Sequence, residues 1–129
     1  MKKNTEKISH RETAVSFLQL ASSGKVKEAY QLYVGLEFRH HNPFFKGDAE
    51  TLMTAMEENA AQNPNKILEV QRTLEDGELV AVHSRLRFGP DNLGVSTIHI
   101  FCFKDDRIVE LWDVGQPVPE ESPNENGMF

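Results

Sequence analysis

The stretch Val95-Ser-Thr-Ile-His-Ile-Phe-Cys-Phe-Lys-Asp-Asp-Arg-Ile-Val-Glu-Leu-Trp-Asp-Val114 decides the fold. From Val95 to Phe103 it is rich in β-branched and aromatic residues, the composition of a strand. Asp105-Asp106 marks a turn, and a second strand is expected from Arg107 to Val114. Two strands joined by so short a connection pair antiparallel. On the first, Thr97, His99, Phe101 and Phe103 share one face and Cys102 takes the other. On the second, strict alternation groups Val109, Leu111 and Asp113 against Glu110 and Trp112.

Working back from this pair, Gly89-Pro-Asp-Asn-Leu-Gly94 is a loop, and a further period of two precedes it. Val80, Val82, Leu86 and Phe88 point one way, while Ala81, His83, Arg85 and Arg87 point the other. Asp76-Gly77 is a turn signal, before which Leu68, Val70 and Leu74 alternate with polar residues from Ile67 onward. Nearer the N-terminus the period becomes helical. Ser9-His-Arg-Glu12 is a capping box that opens a helix carrying Ala14, Phe17, Leu18 and Ala21 on one stripe, and Ser23-Gly24 stops it. A short amphipathic segment with Val26, Ala29, Tyr30 and Tyr33 follows. Asp48 caps a third helix bearing Leu52, Ala55, Met56 and Ala60, which Asn63-Pro64-Asn65 ends.

Three helices followed by a strand meander predict an α+β domain, with the helices on one face of a curved antiparallel sheet. Such a sheet wrapped over its helices makes a cone with an apolar closed end and an open mouth, a shape suited to a small ligand. The expected organisation is one domain over residues 1–115 and an irregular tail over 116–129, in which three prolines fall.

Composition narrows the function. A chain of 129 residues with 39% hydrophobic content builds one core. Fourteen Lys and Arg against 20 Asp and Glu leave a net charge of −6, which argues against nucleic acid or an anionic membrane as partner. The start, MKKNTEKISHRE, is charged, but no apolar region follows it, since Ser16 and Gln19 break Ala14 to Ala21; neither a signal peptide nor a membrane span is expected. With Cys102 as the lone cysteine, a reducing cytoplasm is the expected setting. HExxH, glycine-rich phosphate loops and GxSxG are absent, and the five histidines form no recognisable ligand set, so no cofactor or metal is expected.

The residues that could carry chemistry cluster on the final strands. Asp113 shares a face with apolar neighbours, where a carboxyl group loses hydration and becomes suited to proton transfer; the competing reading is a strand-end cap on a backbone amide. The turn brings His99 near Leu111 or Asp113, making it either an acid/base partner or an ordinary core histidine. In His40-His41-Asn42-Pro43, neighbouring side chains diverge, so His40 and His41 cannot both face one cavity. His41 or Asn42 could hold a substrate carbonyl, or the segment could be simply a turn. Phe101 and Leu111, sharing faces with His99 and Asp113, are expected as apolar substrate contacts. His83, Arg85 and Arg87 make a polar strand face, read as solvated, as a subunit interface or as an anion patch. Cys102, between two phenylalanines, reads as a small buried hydrophobe.

Together Phe38-Arg-His-His-Asn-Pro43, Gly77-Glu-Leu-Val-Ala-Val-His83, His99-Ile-Phe101 and Ile108-Val-Glu-Leu-Trp-Asp-Val-Gly-Gln-Pro117 resemble the SnoaL-like polyketide cyclase family. That family lies within the nuclear-transport-factor-like, ketosteroid-isomerase-like superfamily. The resemblance implies a cystatin-like cone with an internal pocket, commonly a homodimer formed through the sheet. It also implies an intramolecular aldol condensation that uses neither metal nor organic cofactor. By the same resemblance Asp113 is the acid/base, while His99 and Asn42 bind and polarise the carbonyl of a small apolar substrate. One departure stands out: many relatives have His where this chain has Leu111, in Glu110-Leu-Trp-Asp113. The loss of that imidazole makes a dry pocket, and it leaves two functions open. One is a cofactor-independent cyclase, isomerase or lyase; the other is a non-catalytic binder or dimeric scaffold.

Overall fold

In the computed structural model, residues 8–129 are described. The charged start considered above as a signal-peptide candidate lies largely outside them. Along the chain run α1 (His10–Ser22), α2 (Val26–Tyr33), β1 (Val34–His40), α3 (Ala49–Gln62), β2 (Ile67–Asp76), β3 (Leu79–Arg87), β4 (Val95–Lys104) and β5 (Arg107–Pro117). The architecture is α+β: three helices packed on a five-stranded sheet of order β1-β5-β4-β3-β2.

Local chemistry sets the element ends. Ser9 Oγ accepts from the Glu12 amide at 3.0 Å while the Glu12 carboxylate accepts from the Ser9 N–H at 2.9 Å, closing the capping box of α1. Asp48 accepts from the Thr51 N–H at 3.0 Å and starts α3 in the same way. Asp105 and Asp106 both take positive φ, 52° and 65°, the backbone of a tight hairpin whose twist matches its strands.

The sheet departs from the expected antiparallel meander in one strand. β2 to β5 do run antiparallel, but β1 joins the edge parallel to β5, pairing Val34 with Ile108 and His40 with Leu111. The sheet is therefore mixed. Periodicity hides β1 because Leu36 is fully exposed and the strand's partner lies some seventy residues downstream. β5 also continues past Val114 to Pro117, pairing Pro117 with Val95.

Two bulges correct the expected strand phase. In β2 the register slips between Val70 and Arg72, so Thr73 rather than Leu74 falls opposite the buried Val82. Leu74 is accordingly 68% exposed and does not share the inner face of Leu68 and Val70. In β5 the register slips opposite Cys102–Phe103, so that Phe103 pairs with Ile108 and Cys102 with Glu110. Val109 is the unpaired extra residue; Ile108 takes the core position that strict alternation assigns to Val109.

The inner faces of β3, β4 and β5 then meet the helices. Phe17 of α1 packs edge-on against Phe101 at 5.8 Å and against Tyr30 of α2 at 5.4 Å. Val80, Val82, Phe103, Ile108, Leu111 and Leu52 complete one continuous core. Burying each large side chain contributes about 1.5–3 kcal/mol, so this end of the domain is closed and rigid.

Candidate functional site

Across β4 and β5 the inward residues form successive rows: Phe101 with Leu111, His99 with Asp113, Thr97 with Gly115, and Val95 with Pro117. The first row lies in the core, with Phe101 and Leu111 essentially inaccessible. From the second row upward the helices no longer fill the concave face. A cavity of about 870 Å³ opens there, walled by α1, α3, the segment after β1 and the sheet. Its walls are mostly apolar, with Leu18, Leu52, Met56 and Leu86 among them. His99 and Asp113 form its floor.

Asp113 is held from the side. After β1 the chain turns sharply, and His40, only 5% exposed, organises that turn: its Nε2–H donates to the Lys46 carbonyl at 2.7 Å while Nδ1 accepts from the Asn42 N–H at 3.1 Å. Asn42 Oδ1 accepts from the Phe44 N–H at 3.0 Å, an Asx turn. These bonds fix the Asn42 amide, whose Nδ2 donates to both carboxylate oxygens of Asp113 at 3.2 Å each. One end of the Asn42 side chain makes the expected turn and the other engages Asp113.

His99 pairs with Asp113 across the strands and is half-buried at the cavity wall. Burial pushes its imidazole below the usual histidine range; the negative charge of Asp113 opposes that shift only in part. The ring is thus a neutral donor and acceptor near pH 7. Its Nδ1 atom is itself enclosed and has no hydrogen-bond partner among the described residues.

Of the other sequence candidates, His41 borders the cavity beside Trp112, but its ring is engaged by Glu110 and by Trp112 itself. Its Nε2 lies 2.6 Å from Glu110, and its ring stacks on Trp112 at 5.0 Å. Arg39 also reaches Glu110, and these hydrogen bonds, that of His41 foremost, hold the carboxyl below the usual range. Phe101 and Leu111 support the floor from beneath and do not line the cavity, because helix α1 already covers them. His83, Arg85 and Arg87 sit on the outer face in contacts of their own. His83 bonds to Arg72 and, at 3.0 Å, to Ser96, and its imidazole is pushed down by burial and by the Arg72 charge. Phe129 stacks on His83 while Arg85 lies over the same phenyl ring. Arg87 pairs with Glu69 at 2.9 Å.

Sequence reasoning missed Lys66 and Asn59, which both line the cavity. Lys66 belongs to the turn between α3 and β2, and nothing in the local pattern aims it inward. Among the described residues, no group of three or more His, Cys, Asp or Glu side chains is placed to hold a metal.

Solved structures share this fold. An NTF2-like protein of unknown function from Cytophaga hutchinsonii superposes with a TM-score of 0.71 at 15% identity, over 88% of this chain and 96% of that one. The chain has the NTF2-like, cystatin-type fold. IdmH from Streptomyces antibioticus, to which polyketide cyclase activity has been ascribed, matches at TM-score 0.68 and 21% identity, over 84% of this chain and 93% of its own. An isomerase assignment has been suggested for a SnoaL-like protein from Agrobacterium tumefaciens that matches at 0.68 and 13% identity, over 84% and 99%. No family model and no curated protein matches the sequence. At these identities the likeness establishes the fold, and chemistry has to be argued from the site.

Proposed function

We propose that this protein binds a small, largely apolar carbonyl compound in its cone and catalyses proton transfer at the carbon beside the carbonyl. The observation that carries this reading is the pairing of Asp113 with a half-buried, neutral His99 on the floor of an apolar cavity, with Asn42 fixing the carboxylate. Asp113 removes the proton from the α-carbon, and the electron pair moves onto the carbonyl oxygen. An N–H of His99 then donates to the enolate oxygen where charge develops. The protonated Asp113 returns its proton to a different carbon in an isomerisation. In an aldol cyclisation the enolate carbon attacks a second carbonyl and Asp113 protonates the new alkoxide. Either course needs only a carboxyl group, an imidazole and a dry enclosure.

A non-catalytic carrier is the second reading. It draws on the Asn42 contact, which already engages both oxygens of the carboxylate that would have to accept the proton. A homodimer through the outer face of the sheet, where Ile98 and Ile100 sit half-buried, accompanies both readings and is checked by sedimentation equilibrium.

Solvent deuterium exchange into the α-position of a bound cyclic ketone, followed by NMR, separates them. The enzyme reading expects accelerated exchange that falls about 10²–10⁴-fold in Asp113→Asn with the fold preserved, the usual contribution of one general base. Binding without exchange, or exchange indifferent to Asp113→Asn, favours the carrier.

A further inference from the structure

Lys66 occupies the open end of the cavity. It immediately precedes β2, and its side chain joins the wall beside Asn59 of α3. Of the described residues that line the cavity, it is the only Lys or Arg, and Asp113 is the only Asp or Glu. In a chain of net charge −6, Lys27 and Lys104 find glutamates on the surface, at 4.0 and 3.5 Å. Lys66 has no such partner among the described residues: its ammonium donates to the Asn59 side-chain carbonyl instead. Partial burial lowers its pKa, and no neighbouring carboxylate offsets the loss of hydration. A half-buried cation left without a counter-ion inside a ligand cavity is unfinished electrostatically.

We propose that Lys66 and the Asn59 amide form an anchor for a carboxylate carried by the ligand, which makes the substrate class an elongated oxo acid. The ammonium supplies the charge. Asn59, whose oxygen is engaged by Lys66, keeps its Nδ2 hydrogens for the second carboxylate oxygen. A single ammonium matches a monoanion, and among the described residues no second Lys or Arg lines the wall for a phosphate dianion. Orientation follows from the other end of the cavity. Asp113 repels a carboxylate, so the anion stays at the mouth and the carbonyl end goes to the floor. The rows of His99 and Val95 are about 13 Å apart along β4 at the usual strand rise. Lys66 lies beyond the residues paired with Val95, because Val95 faces Leu86 and Leu86 faces Leu68. A ligand touching both ends is therefore extended. The carbonyl half of this assignment rests on the proton-transfer reading above; the anchor does not.

The test uses decanoate and decan-1-ol, equal in chain length and different in charge, titrated against the full chain while following the fluorescence of Trp112, which lines the cavity. Decanoate is expected to bind about tenfold or more tightly than decan-1-ol. Lys66→Met, which keeps the apolar stem, abolishes that preference and leaves decan-1-ol affinity unchanged, whereas Lys66→Arg retains it. Asp113→Asn keeps the preference, so loss of proton exchange and loss of anchoring are read separately. Equal affinities in the unsubstituted protein, a preference that survives Lys66→Met, or no saturable binding of decanoate each overturn the anchor.

Discussion

Replacing Asn42 by alanine removes the one side chain among the described residues that hydrogen-bonds the Asp113 carboxylate. Two contributions are lost together. The Nδ2 donor is shared between both oxygens at 3.2 Å, and a hydrogen bond to a charged group contributes about 1.5–3 kcal/mol. The Oδ1 bond to the Phe44 N–H lies in an exposed turn where water can replace it, and adds about 0.5–1 kcal/mol. The expected destabilisation is thus about 2–4 kcal/mol, which in a domain of this size lowers Tm by about 8–15 °C. A double-mutant cycle with Asp113→Ala isolates the shared part, measured by urea denaturation monitored through circular dichroism. In the Asp113→Ala background the second change should cost only the turn bond, leaving a coupling of about 1.5–3 kcal/mol. Additivity within about 0.5 kcal/mol would refute the idea that Asn42 acts on Asp113, and with it the account of how the site is held.

Two further outcomes test the structure. Burial sets the folded value of His99 below its unfolded value of about 6.5, so the unfolded chain binds this proton more tightly. The contribution of His99 to stability is complete above that unfolded value and is lost progressively as pH falls through the lowered folded one. His99→Gln should flatten the decline in urea midpoint as pH falls below about 6.5, and identical slopes would contradict a neutral, half-buried imidazole. Gly94 has φ +86°, and a Cβ there would stand 2.5 Å from the Leu86 carbonyl oxygen. Gly94→Ala therefore combines backbone strain with a clash at the cavity end of β3 and β4, costing more than about 1 kcal/mol. A thermal midpoint unchanged in that variant would show that the loop relaxes freely.

The fold was legible wherever a single residue type has a local physical role. Ser9 with Glu12, Asp48, Asp76-Gly77 and Asp105-Asp106 satisfy backbone groups within a few residues of themselves, so their meaning is present in the local sequence. The phase of β4 was legible for the same reason, since Thr97, His99, Phe101 and Phe103 all keep to one face. Leu74 and Val109 were misplaced because a bulge adds one residue at a point set by the partner strand, and one residue reverses the face. β1 escaped notice because its identity depends on a parallel neighbour far downstream.

The candidate site divides along the same line. Asp113, His99 and Asn42 could be singled out by residue type and strand phase, and the structure brings all three together. That His41 turns to Glu110 and Trp112, that Phe101 and Leu111 belong beneath the floor, and that Lys66 enters the wall were decided only in three dimensions. The sequence alone determined the helix caps, the hairpins, the apolar faces and the absence of basic runs, because these depend on neighbours within a turn or across a hairpin. The tertiary structure alone decided which polar groups share one cavity and which of them are left unpartnered. Those properties arise from desolvation and convergence of distant segments, and no local pattern encodes them.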